Sequence, residues 1–473
     1  MIQVMCGRVA LLSSCAVSLL VSGCFDLSLD FSTPVPTPER PLCVPSELSE
    51  GRVEQVDGGV WPPATAAPFP TARCDAARGE CDVRRLYGGG GEFLAGSHCL
   101  TNAADETLCF GWPRDYSPDG GVAPTEVVRR DVVDVDVGAS MRCFRARDGA
   151  LRCEGYSDFW GVAPSADTIG AGRWLPEWRE ADGVDAAGLG GTMLCFVRDG
   201  VPLCRGYTGW FPYPGSADDA VGVLDEATAV LGLPTTADVA VGTFSACALS
   251  IAGEVHCWGA NDAGQLGRRN DLGSATPVAI DVPPLRVLRA GVGAYAGIDF
   301  AGGVWLWGTL SLARPDEISA VSGTELYCCA DADGALGDGC FAPARVDTLP
   351  ANIVDIGLGR EHACALTDDG RVFCWGGNRS GQLGQGDVRP RAEPTEVPLP
   401  ELIEQLSVTR LGTCVSARDA LWCWGDDDQD NLHVGPADRE CEGGYMSGGL
   451  FSSTSFFPCV LEPRRVLDYP PPA

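Results

Sequence analysis

Between Glu361 and Asp387 apolar and polar residues change places every few positions. Apolar Ala363 to Leu366 gives way to polar Thr367 to Arg371. Apolar Val372 to Trp375 then gives way to a polar, glycine-broken tail, "GGNRSGQLGQGD". Apolar runs this short, folded about Asp368-Asp369-Gly370, predict a β-hairpin and not a helix. Phe244 to Gly267, "FSACALSIAGEVHCWGANDAGQLG", repeats the pattern. The segments "DVAVGTFSACAL" and "DIGLGREHACAL" place a further strand ahead of each hairpin.

Aligned on these two stretches, the chain yields seven hairpins. They are Cys99–Cys109, Cys143–Cys153, Cys195–Cys204, Cys247–Cys257, Ala296–Leu306, Cys364–Cys374 and Cys414–Cys423. Their starts lie 44 to 68 residues apart, a spacing that points to propeller blades or a similar array. Turn length and cysteine spacing change together. Pairing Cys364 with Cys374 also pairs Leu366 with Val372 and leaves a loop ending in Gly370, where a left-handed backbone is needed. Gly149 and Gly253 end the equivalent loops of the second and fourth hairpins. Cys195–Cys204 is one residue shorter, and its loop contracts to Asp199-Gly200, a two-residue hairpin turn. Cys414–Cys423 keeps the shorter span with Arg418-Asp419, and the first hairpin has no glycine.

The fifth hairpin loses both cysteines at once, with Ala296 and Leu306 in their places. Directly opposed residues of an antiparallel pair lie within disulfide reach. Spacing and joint loss together predict six cross-strand disulfides, one in each of the other hairpins. Metal ligation would call for Cys-x-x-Cys or histidine clusters, which these pairs lack. Buried free thiols are the other reading of the same residues.

Composition adds compartment and charge. Glycine makes up 61 of 473 residues, about 13% against a usual ~7%. With 34 prolines, the chain favours turns over long helices. The net charge of −30 repels polyphosphates and excludes an electrostatic grip on nucleic acid. Met1 to Gly23 carries Arg8 ahead of apolar "VALLSSCAVSLLV", Val9 to Val21. That run has the length of a signal-peptide core and is short for a membrane span. Leu20 and "VSGC", Val21 to Cys24, resemble the lipobox of bacterial lipoproteins. The resemblance implies cleavage before Cys24 and lipidation of Cys24; an ordinary cleaved signal peptide is the alternative. Phe25, where aspartate would retain the protein at the inner membrane, points to the outer one, so the expected location is the bacterial cell envelope.

Setting aside Cys6, Cys15 and Cys24 leaves 20 of the 23 cysteines, an even number suited to a disulfide framework in an oxidising compartment. Beyond the hairpins, Cys441–Cys459 reads as the staple of an inserted loop and Cys74–Cys81 as a short one. Cys43, Cys328, Cys329 and Cys340 have no assigned partner. "STPVPTPERP", Ser32 to Pro41, reads as a semi-rigid extended stalk.

The tails "CWGANDAGQLG" and "CWGGNRSGQLG" are followed by a recurring Pro-x-x-Val, at Pro124–Val127, Pro343–Val346, Pro394–Val397 and Pro463–Val466. These repeats resemble those of the regulator of chromosome condensation family, which build a seven-bladed β-propeller. The resemblance is close over Val239–Gly267 and Asn352–Val397 and degraded elsewhere between Leu86 and Leu467. It implies an all-β propeller over residues 86–473, after a signal (1–23), an anchor and linker (24–42) and a cysteine-containing segment (43–85). Ring closure is expected from strands of both chain ends, Pro463–Leu467 with a partner between Gly51 and Tyr87. Trp258, Trp307, Trp375 and Trp424 share one repeat position, where filling space between blades is a simpler role than stacking on sugar.

Candidate chemistry is sparse. The four histidines, His98, His256, His362 and His433, read as structural. No Ser-His-acid set, phosphate loop or zinc motif is present. Asp426, Asp428 and Asp430 alternate as in a calcium loop, but Asn431 and Ala437 stand where glycine and glutamate belong. Asp331 to Gly339 is a second weak calcium pattern. Both read as solvated loops, and neither metal nor cofactor is expected. The family's nuclear nucleotide-exchange role has no matching residues here. The expected function is a non-enzymatic, envelope-anchored scaffold that binds an extracytoplasmic protein or glycan through its loops. The irregular insertions Asp316–Phe341 and Glu440–Cys459 would supply specificity, and contact with the membrane is expected through the N-terminal lipid only. A secreted-type enzyme inhibitor, a hydrolase or lyase with an axial site, and a purely mechanical role are the alternatives. A perturbed carboxylate pair on the axis would favour the enzyme.

Overall fold

The computed structural model describes residues 83–89, 97–102, 105–110, 129–138, 141–156, 174–207, 223–268, 273–310, 342–418, 420–427, 432, 434, 437–443 and 455–466. The expected signal, anchor and stalk lie outside these residues, as do Cys43, Cys74, Cys81, Cys328, Cys329, Cys340, His433, Asp428, Asp430 and the Asp331–Gly339 loop.

The described residues form a seven-bladed β-propeller of seven antiparallel sheets. The blades run Val83–Arg130, Val132–Ala181, Ala186–Ala229, Thr236–Ala279, Leu285–Arg345, Ile353–Glu396 and Ile403–Arg465. Each is built from consecutive strands ordered from the axis outward; in blade 7 an extra strand, Arg439–Gly443, lies outermost. The second strands of blades 4 to 7, such as His362–Thr367, are buried along their whole length. Neighbouring blades cover both their faces, so small and apolar residues run on without alternation.

All six hairpins carry their disulfide, with Cα atoms 3.9 to 4.1 Å apart. Ala296 opposes Leu306 in the same register. Cys441–Cys459 is also bonded. The turn glycines have a second duty besides their left-handed backbone. Gly253 (φ +84°) and Gly370 (φ +83°) accept through their carbonyls the amides of Leu285 and Ile403, the first residues of the next blade's inner strand, at 2.9 Å. A Cβ on Gly370 would lie 2.9 Å from the Ile403 backbone nitrogen. Each such turn therefore both closes a hairpin and docks the following blade. In the Pro-x-x-Val segments, Pro394 and Pro463 sit on the free edge of an outer strand, where a missing N–H breaks no ladder.

Of the expected closing partner, residues 51–82 lie outside the described residues. The C-terminal strand, Ser455–Arg465, pairs within its own blade, and the inner strand of blade 1 begins at Val83 and pairs with Ser97–Asn102. No described sheet is shared between the two ends. The inner strands of blades 7 and 1 instead pack side by side, joined by Gln405. Its Oε1 accepts the Leu86 amide at 2.6 Å and its Nε2 donates to the Val83 carbonyl at 3.1 Å. One apolar cluster, including Leu100, Leu383, Leu406 and Trp424, runs through blades 6, 7 and 1 and covers the seam. With that much core along the junction, a shared sheet is not needed to hold it.

Trp258, Trp307, Trp375 and Trp424 are fully buried between blades. Trp424 Nε1 donates to the Gln382 carbonyl of blade 6 at 2.9 Å. Blades 2 and 3 lack the tryptophan, and the register puts Glu154 and Arg205 in its place. Each reaches the preceding blade as an ion. Glu154 binds Arg129 of blade 1 and Arg142 of its own blade, the latter at 2.6 Å; Arg205 binds Glu180 of blade 2 at 2.9 Å.

Candidate functional site: the axial channel

The seven inner strands enclose a cavity of about 410 Å³ on the axis. Six of them carry a register shift at the same place, after the first residue. The shift brings one residue of each of these six blades to a common outer level, Arg85, Asp134, Asp238, Val287, Asp355 and Gln405, and Ala186 of blade 3 holds the same register position without it. In blades 2, 4 and 6 the shift follows a shared pattern, Val132-Val133-Asp134, Thr236-Ala237-Asp238 and Ile353-Val354-Asp355. In each, the aspartate Oδ1 accepts the next residue's amide, at 3.1, 2.9 and 2.9 Å. A short acidic side chain thus satisfies an N–H at the bulge.

Two residues further on lies a second level: Tyr87, Asp136, Gly188, Ala240, Arg289, Gly357 and Ser407. Its side chains lean toward the next blade. A Cβ on Gly188 would meet the Val239 carbonyl of blade 4, and Arg289 of blade 5 reaches Asp355 of blade 6 at 3.2 Å. Asp134 is paired with Arg145 of its own blade at 3.1 Å. Asp136 and Asp238 make no ion pair among the described residues, and Asp136 Oδ2 is buried with no hydrogen-bond partner. Enclosure raises the Asp136 carboxyl well above the usual range, with Asp134 and Asp238 adding repulsion. Enclosure likewise pushes Asp238 up to about 6; Arg289 opposes the rise and Asp134 adds to it. Burial, then Asp134, takes Tyr87 to about 12.

A Ser–His contact also borders the channel, where His98 Nδ1 lies 2.7 Å from Ser407 Oγ. It joins blades 1 and 7. Both side chains are buried, and burial lowers His98 to about 3, so the imidazole is a poor proton acceptor and Ser407 is closed to substrate. His362 is likewise buried, lies 3.1 Å from Thr413 Oγ1 of blade 7 and is lowered to about 3 by burial. Both act as struts. Asp427 is buried and accepts the Leu432 amide at 2.8 Å, as Asn261 and Asn378 do for Leu266 and Leu383. That geometry matches the repeat loop. Among the described residues no trio of His, Cys, Asp or Glu is placed to hold a metal.

The channel acids went unnoticed in the sequence, although the recurring aspartate was a usable signal. The third strands of all seven blades end at one end of the ring. The short hairpin turns and the entries to each inner strand lie at the other.

Family comparison matches the regulator of chromosome condensation (RCC1) repeat, in one form over residues 237–265 and 353–382 and in another over 252–296 and 369–410. The chain carries these repeats. It is 29% identical over 230 residues to protein pim1 of Schizosaccharomyces pombe, covering 44% of this chain and 40% of that protein. It is 25% identical over 239 residues to the ultraviolet-B receptor UVR8 of Arabidopsis thaliana, covering 42% and 54%. The chain thus spans about half or less of these relatives' lengths. Among solved structures, Prp20p of Saccharomyces cerevisiae superposes with a TM-score of 0.58 at 14% identity, over 84% of this chain and 90% of that one. Human WBSCR16 does so at 0.52 and 18%, over 70% and 85%. At these identities the likeness establishes the fold.

Proposed function

Taking a seven-bladed propeller of chromosome-condensation-regulator repeats as the premise, we propose that the protein is a non-enzymatic binding scaffold anchored to the bacterial cell envelope through Cys24. Its partner is an extracytoplasmic protein or glycan. The observation that carries this reading is an asymmetry of the ring. Tight turns docked on the next blade occur at both ends, but the third strands, from which the variable connections start, all end at one of them. A rigid frame presenting irregular loops on one face is the arrangement binding surfaces use. Six hairpin disulfides support an oxidising compartment. The net charge of −30 favours a partner with a basic surface. The solved relative Prp20p is described by its binding to Gsp1p and histones, which supports protein binding as a use of this fold. Inhibition of an enzyme is the narrower form of the same reading.

One observation favours a second reading, a hydrolase or lyase on the axis: Asp136 and Asp238 are both shifted upward. Against it, His98 and Ser407 are sealed in the wall. Affinity capture with the full-length oxidised protein in mild detergent, using envelope extract, tests the main reading. A dominant retained protein or glycan, lost when the disulfides are reduced, is the expected result. An empty capture from a folded protein, with turnover of glycan or ester substrates abolished by Asp136→Asn, would replace it with the enzyme.

A further inference from the structure

Among the described residues the exposed large apolar side chains are Val201, Leu231, Ile251, Phe300, Val354 and Leu402. All of them lie at the hairpin-turn end of the ring, opposite the end that the third strands reach. The first four form an arc over blades 3 to 5. The Val230 amide donates to the Pro202 carbonyl at 2.9 Å, which continues the strand register to Leu231 beside Val201. The Ile251 amide donates to the Thr235 carbonyl at 3.0 Å, and the Thr236 amide to the Gly200 carbonyl at 2.9 Å. The turns carrying Val201 and Ile251 therefore dock on one short segment of chain. Phe300 holds in blade 5 the turn position that Ile251 holds in blade 4. In blades 2 and 6 that position is Arg147 and Asp368, so the apolar character belongs to this sector and not to the repeat. Leu231, Ile251 and Phe300 are 73%, 56% and 53% exposed. Single exposed apolar residues are ordinary, but neighbouring ones held on a docked frame mark an interaction surface.

The charges beside the arc narrow its occupant. Asp185, Asp199, Glu254, Asp281 and Asp368 are exposed along it and at its ends, against the exposed Arg198. We propose that the arc docks a protein partner through an apolar surface flanked by lysine or arginine side chains. Such a partner covers the aliphatic side chains and answers the carboxylates at once. A second copy brings the same acids and its own charge of −30, and an anionic lipid surface brings like charge, so both are repelled. Sugar rings stack on flat aromatic faces, whereas three of the four side chains are aliphatic. The inference rests on the binding-scaffold reading, commits it to a protein, and gives it a face apart from the end that the third strands reach.

Photo-crosslinking in cells that produce the full-length protein tests it. The probe is p-benzoyl-phenylalanine in place of Leu231, with the same probe in place of Glu393, on the outer strand of blade 6, as control. The expected product at Leu231 is an adduct with a second polypeptide, whose crosslinked peptide, read by mass spectrometry, pairs an apolar run with nearby lysine or arginine. Ile251→Asp and Phe300→Asp, both at exposed positions, should each lower its yield five-fold or more at an unchanged urea midpoint. Glu254→Gln/Asp281→Asn should lower it three-fold or more, which contact through apolar groups alone does not predict. An adduct of twice the chain's mass, a lipid adduct, a crosslink within the chain, or no adduct overturns the inference. So does a partner peptide without basic residues, or an equal yield of the same adduct from Glu393. If the arc fails while envelope capture still retains a partner, the scaffold reading stands without this face; an empty capture as well defeats both.

Discussion

The cysteine-less hairpin of blade 5 provides a natural experiment that can be copied into blade 6. Cys364 and Cys374 are buried, directly opposed and bonded. In blade 5 the same register holds Ala296 and Leu306, also buried. The disulfide joins residues 10 apart, for which the chain-entropy relation gives about 2.7 kcal/mol at 25 °C. That loss is common to any variant that removes both cysteines. What differs is the filling of the space: a buried leucine in place of alanine contributes about 2 kcal/mol. The double variant Cys364→Ala/Cys374→Leu should therefore lose about 1 kcal/mol, and Cys364→Ala/Cys374→Ala about 3 kcal/mol. Urea unfolding followed by tryptophan fluorescence reads both, since Trp375 and Trp424 adjoin the site. Equal midpoints for the two variants would refute the argument that volume in this layer substitutes for the crosslink.

Further expectations concern pH, the turns and the ionic seams. His98 and His362 are held near 3 by burial, against about 6.5 when unfolded, so the stability they favour falls as pH drops from 6.5 toward 3. Asp136 and Asp238 are raised, Asp238 to about 6. The folded state therefore keeps protons that the unfolded chain releases, and that stability is lost as pH rises from about 4 through about 6. The two slopes oppose each other between pH 4 and 6, so the parent's urea midpoint should vary little there. Asp136→Asn/Asp238→Asn should unmask a midpoint that rises with pH across that window; an unchanged profile would count against the shifted carboxyls. Gly370→Ala puts a Cβ against the blade 7 entry at a positive φ and should cost about 1 to 3 kcal/mol in urea unfolding. Glu154→Ala removes the carboxylate that Arg129 and Arg142 share in the seam of blades 1 and 2 and should cost about 3 to 5 kcal/mol. Glu154→Trp/Arg142→Ala, which restores the Trp–Ala pairing of blades 4 and 6, should recover most of that loss by the same measurement.

The strands, turn types and hairpin disulfides were legible because they are local. Cys195–Cys204 announced its shorter turn in the same ten residues that form it, and the dihedrals of Asp199 and Gly200 (φ +53° and +73°) follow suit. The four tryptophans were legible by repetition. Glu154 and Arg205 were not, because an ion in a tryptophan's position has no repeat signal; its partners, Arg129 and Glu180, lie on a neighbouring blade and are fixed only by register. The channel was hidden for the same reason. Asp134, Asp238 and Asp355 each look like a strand-end aspartate until seven inner strands are brought together. The seam between blades 7 and 1 was not legible either, because Gln405 carries no motif that announces its bonds to Leu86 and Val83.

The self-contained blades give the molecule an unusual freedom of connection. Since neither end of the described chain completes a sheet begun at the other, cutting the backbone between any two blades would tear no β-ladder. Joining Arg465 back toward Val83 by a linker, with new ends opened between Glu396 and Ile403, should yield the same ring in a different reading order. Blades could likewise be duplicated or exchanged in a gene as whole cassettes, each but blade 5 arriving with its own hairpin staple. The inheritance of such a ring is then modular: tandem copying supplies the blades, and the pair of strands that happens to come last and first needs only a residue like Gln405 to become neighbours.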